Sequence, residues 1–164
     1  EHKYIYDEHV AKGIDTLLQR TDILGSRACT VSHTRGGYMT LRALVKHQKQ
    51  DQVACYVSYY PHWQDPNAPE VKQIYQYAPE LNMLNVATLV FIGEHDQYQR
   101  IRPIMAGIEE LQGRGVNAQL FIYPGVGRGF EFRPTHVRTF ADDLAAKDAN
   151  QRTADFVRQH LMQE

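Results

Sequence analysis

The sequence has no charge surplus of either sign: 18 Lys and Arg stand against 19 Asp and Glu, a formal net charge of −1. The basic residues are scattered among acidic neighbours, so the basic stripe of a nucleic-acid binder is missing. No apolar run reaches the length of a membrane span, and no charged-then-apolar leader opens the chain. These absences predict a soluble protein without nucleic-acid or membrane partners, cytoplasmic by default. The first residue is Glu1 rather than Met, from which an N-terminal segment is expected to have been lost, processed or left out. The compartment therefore stays open.

Cysteine is scarce as well. The two cysteines, Cys29 and Cys55, lie in separate apolar runs, and neither belongs to a CxxC pair. This predicts buried free thiols acting as small hydrophobes, with no redox or metal role. Nor is a cofactor expected. Gly125, Gly127 and Gly129 have the wrong spacing for a dinucleotide fingerprint, and Phe130-Glu131-Phe132-Arg133 follows them where a helix should open. Without repeats, low-complexity tracts or a linker, residues 1–164 read as one domain.

What is present is alternation. Four short apolar runs, Ala28–Ser32, Gln52–Tyr60, Ala87–Gly93 and Ala118–Tyr123, are rich in Val, Ile, Tyr or Phe and end in turn-forming or polar residues. Helical stripes surround them: Val10, Ile14, Leu17 and Leu18; Tyr38, Leu41, Leu44 and Val45; Ile101, Ile104, Met105, Ile108 and Leu111; then Phe140, Leu144, Phe156, Val157 and Leu161. Strands separated by helices imply βαβ crossovers, hence an α/β fold with a mostly parallel sheet of about four strands and helices on both faces. The least regular stretch, Pro61–Glu70, is either a pocket wall or an inert surface loop.

Chemistry gathers at strand ends. Ser32-His33-Thr34-Arg35-Gly36-Gly37 follows the first strand and opens a helical stripe, the setting of a nucleophile elbow with Thr34 in the nucleophile's place. Arg35, Gly36 and Gly37 supply helix-start N–H groups able to face an anion. Asp96 ends the third strand in Gly93-Glu94-His95-Asp96, and Arg128 sits in Tyr123-Pro124-Gly125-Val126-Gly127-Arg128-Gly129-Phe130. With the Val57–Pro61 strand end and the alanine-rich terminal helix, these segments resemble the dienelactone hydrolase family of the α/β-hydrolases, from about Asp15 to the C-terminus.

The resemblance implies a small ester or lactone as substrate, with Thr34, Asp96 and Arg128 at the nucleophile, acid and base positions. Members of that family carry Cys or Ser at the elbow and His in the last loop. A guanidinium has no lone pair with which to accept a proton, so the triad is degenerate and standard esterase activity is expected to be weak or absent. A displaced base would come from His33, His95 or His136. Arg128 either pairs with a surface carboxylate or forms a buried pair with Asp96. With Arg35 and the helix start at Gly36 it could instead bind a carboxylate or phosphate, which would make the protein a non-catalytic binder of a small anionic ligand.

The resemblance also implies that the chain is the C-terminal half to two-thirds of the fold. The run Ala28–Ser32 would then form an apolar open edge, expected to be covered by an N-terminal segment, another chain or a symmetry mate. A third reading follows, an interaction subunit that recruits a partner through this edge.

Overall fold

The computed structural model describes residues 6–162; Glu1 lies outside them. The sheet strands are β1 (Ala28–His33), β2 (Val53–Tyr59), β3 (Ala87–Gly93) and β4 (Ala118–Tyr123). They lie in chain order, β1-β2-β3-β4, and every neighbouring pair is parallel. The helices are α1 (Asp7–Leu18), α2 (Arg35–Lys46), α3 (Glu70–Tyr75), α4 (Tyr98–Gly113) and α5 (Phe140–Leu161). The four strands fall where the apolar runs predict them. The six-residue α3 was not anticipated, being too short to show a periodic stripe.

Parallel strands need crossovers; the α2 crossover covers one face of the sheet and the terminal helix α5 the other. Alternation along β2 shows it: the Tyr56 hydroxyl donates to the Gly37 carbonyl of α2 at 2.7 Å, whereas the Tyr59 hydroxyl meets Thr153 of α5 at 2.8 Å. All seven residues of β2 are buried, as a strand covered on both sides requires. The core joins Leu41 and Leu44 of α2, Trp63, Leu81, Phe91 and Ile92 of β3, and Ile104 of α4. Trp63 is fully buried, its indole N–H reaching the Tyr56 hydroxyl at 3.0 Å, so the first residues of the Pro61–Glu70 stretch pack into the core, whereas Asn67, Pro69 and Glu70 are exposed.

The cysteines correct the expectation of free thiols. Cys29 and Cys55 are direct partners in the β1–β2 register, their Cα atoms 4.6 Å apart, and they are joined by a disulfide. Separate apolar runs hid this pairing, because register across a sheet is invisible in either strand alone.

Candidate active site at the C-terminal rim of the sheet

A parallel sheet brings all its strand ends to one rim, and the four predicted segments meet there. After β1 the chain turns sharply at Thr34, with φ 49° and ψ −117°, and enters α2 directly. Positive φ in a β-branched residue is strained, and the neighbourhood holds it. The Thr34 N–H donates to the Tyr59 carbonyl at 3.1 Å, and the Thr34 carbonyl accepts from Gly37 at 3.1 Å and His62 at 2.9 Å. A Cβ at Gly37 would lie 2.5 Å from the Pro61 Cβ, so only glycine allows α2 to start this close to the loop after β2. The Thr34 hydroxyl accepts from the Arg35 N–H.

Asp96 is fixed by the turn after β3, and its side chain is fully buried. Its Oδ1 accepts from the Gln97 N–H at 2.7 Å. Arg128 Nη1 reaches Asp96 Oδ1 at 3.1 Å and Oδ2 at 3.0 Å, and its Nη2 donates to the Tyr60 carbonyl at 2.6 Å. The pair is therefore the buried one, and the guanidinium also lies 5.1 Å above the Tyr60 ring. Gly93 makes room for the Arg128 loop, since a Cβ there would be 2.4 Å from the Val126 carbonyl oxygen.

The structure adds two residues that sequence reasoning missed. Tyr60 has φ 36°, and its hydroxyl donates to Glu131 Oε1. His33 Nε2 lies 3.3 Å from the same oxygen, and its ring stacks on Tyr59 at 4.8 Å. Tyr60 thus links two polar groups, the Asp96–Arg128 pair through the guanidinium against its face and His33–Glu131 through its hydroxyl. Burial and the adjacent Glu131 carboxylate both push the Tyr60 phenol well above its ordinary range, so it acts as a donor. Burial lowers the His33 imidazole below its usual value, although Glu131 pulls the other way.

The remaining candidate bases lie apart. His95 is exposed, its Nε2 3.8 Å from the Glu94 carboxylate, and His136 is exposed in the loop before α5. Among the described residues no hydrogen bond joins a histidine to the Thr34 hydroxyl. Arg35 is exposed beside the elbow. Arg100, in the first turn of α4, is depressed by burial and then by the charges of Arg128 and Arg35, with Asp96 opposing them. So Arg128 alone of these arginines is paired with the buried aspartate, and Arg100 is near enough to feel its charge. Among the described residues no His, Cys, Asp or Glu cluster could hold a metal ion, and no helix is long and apolar enough to cross a membrane.

The family model for dienelactone hydrolases matches residues 8–161. The chain belongs to the dienelactone hydrolase family. Similar solved structures agree on the α/β-hydrolase fold. A protein of Klebsiella pneumoniae described as a dienelactone hydrolase superposes with TM-score 0.69 at 19% identity, over 93% of this chain and 62% of that one. An esterase of Pyrobaculum calidifontis gives 0.65 at 18%, over 92% and 61%. A puromycin hydrolase gives 0.73 at 16%, over 96% of this chain but 25% of its own. The chain thus spans about three-fifths of the first two. No curated protein matches it in sequence.

Proposed function

We propose that this dienelactone hydrolase-family protein handles a small ester or lactone, or the carboxylate derived from it, at the Thr34–Asp96–Arg128 rim, and that its turnover of standard esters is weak or absent. The observation that carries this reading is the buried Arg128–Asp96 pair, in which Nη1 is shared between both carboxylate oxygens. The acid that would orient a histidine base is instead neutralised by a group that cannot take a proton. Among the described residues the Thr34 hydroxyl accepts from the Arg35 N–H and no hydrogen bond ties it to a base, so what acceleration remains comes from binding and oxyanion stabilisation.

A second reading, a pseudoenzyme that binds a small anion, is favoured by the arginines. Asp96 balances Arg128, which leaves the charges of Arg35 and Arg100 at the rim.

Hydrolysis of an activated ester and a simple lactone by the wild type, Thr34→Ala and Arg128→His separates the two. Activity gained in Arg128→His would mean an intact scaffold that lost its base. Wild-type turnover abolished by Thr34→Ala would mean a working threonine nucleophile and overturn the expectation of weak activity. Silence in all three, with an anion raising the melting temperature, would favour the binder.

A further inference from the structure

No histidine is bonded to the Thr34 hydroxyl, but a second carboxylate–imidazole pair stands on the α5 side of the same rim. His33 is the register partner of Tyr59 and stacks on it, and the Tyr59 hydroxyl meets Thr153 of α5. The Thr34 hydroxyl is turned instead to the first N–H of α2. Two rings hold the imidazole in place, Tyr59 with centroids 4.8 Å apart and Phe132 at 4.9 Å. The His33 side chain is still 33% exposed, so water reaches it.

Glu131 gives this imidazole a direction. Its side chain is only 9% exposed, and Oε1 lies 3.3 Å from His33 Nε2. A carboxylate oxygen in that place favours the proton on Nε2 and leaves the lone pair on Nδ1. Nδ1 makes no hydrogen bond among the described residues and is not sealed from solvent. The carboxylate itself is poorly satisfied. Oε1 accepts from the Tyr60 hydroxyl, and Oε2 is buried without a hydrogen-bond partner. Among the described residues no lysine or arginine is paired with it; Arg138 Nη2 takes the Glu131 main-chain carbonyl at 2.6 Å. A buried carboxylate with one neutral donor is stabilised by a cation forming beside it, and a base becomes that cation as it takes a proton. Burial holds the His33 pKa below the ordinary imidazole value, with Glu131 the one charge acting on it in opposition, so the ring is neutral at pH 7. The Tyr59 and Tyr60 phenols stay protonated, and the α5 residues that meet Tyr59, Asn150 and Thr153, carry no charge.

We infer that His33 is the catalytic base of this rim, that Glu131 is its positioning residue, and that His33 acts on water rather than on Thr34. The water oxygen bonds to the acyl carbon as Nδ1 takes one of its protons. The ester C–O bond then breaks, and the alkoxide takes that proton as it leaves, which frees the imidazole. The inference rests on the rim handling an ester or lactone, and it supplies the base that this reading lacks.

The test is hydrolysis of ethyl dichloroacetate by the full chain, followed as acid release. The wild type should exceed free imidazole at equal concentration by at least about tenfold. The rate should rise with pH and level off by about pH 7, because only the neutral ring accepts a proton. His33→Gln should remove the excess, whereas His9→Gln, at an exposed position on α1, should keep it. Glu131→Gln should cost about tenfold. A second readout needs no substrate: in long-range 1H–15N NMR spectra His33 should carry its proton on Nε2, a preference lost in Glu131→Gln. An Nδ1–H tautomer in the wild type overturns the assignment whatever the variants do. No excess over free imidazole, or an excess that survives His33→Gln, also overturns it, while weak or absent turnover at the rim still stands. An acylated enzyme in the mass spectrum would overturn attack by water.

Discussion

Single residues carry most of the chemistry, and Asp96 is the plainest case. Its carboxylate is fully buried and depends on Arg128, and removing one partner of such a pair leaves the other uncompensated. Asp96→Asn should therefore destabilise the protein by about 3 kcal/mol in urea unfolding; a loss near zero would mean that the ion pair is not formed. Thr34 is the opposite case. Its positive φ stores about 1–3 kcal/mol of strain. Thr34→Gly should be no less stable than wild type, and a clear drop in melting temperature would contradict the strained turn. Burial also makes His33 pH-sensitive. Its folded pKa is depressed, so the unfolded chain takes up the proton first as pH falls. Stability should be intact at pH 8 and decline as pH drops below about 6.5, and His33→Gln should flatten that decline.

At the scale of elements, strands and helices were legible because each crossover shows its own period, two along strands and 3.6 along helices. The Asp96–Arg128 contact was legible too, as one of two outcomes, because both residues sit at landmark loops. The Cys29–Cys55 disulfide, Tyr60 with Glu131, and Gln64 with Arg100 were not. Their partners lie 26, 71 and 36 residues apart, and nothing local marks a polar group that a distant element will bury against it. The disulfide ties the elbow strand to its neighbour. Closing that span should contribute roughly 3 kcal/mol, so Cys29→Ser should lose about that much in denaturant, and the intact protein should show no free thiol when alkylated unfolded without reductant.

For the whole molecule the exposed edge matters most. Among the described residues β1 pairs with β2 alone, and Val31 on it is 50% exposed. An open apolar edge invites further strand pairing. Sedimentation should show concentration-dependent assembly of this chain, suppressed by Val31→Lys; a monomer at every concentration would refute it.

Because sheet order and chain order coincide, synthesis lays the strands down beside one another as they emerge. Asp96 leaves the ribosome 32 residues ahead of Arg128, a delay of roughly two to six seconds at ordinary elongation rates. During that interval the third strand can pair, but its terminal carboxylate cannot be sealed beneath the rim without a counter-ion. The rim therefore closes only once Arg128 has emerged, with α5 still to follow onto the other face, and a pause placed between these two codons would prolong a stage at which the half-built sheet lies open to chaperones.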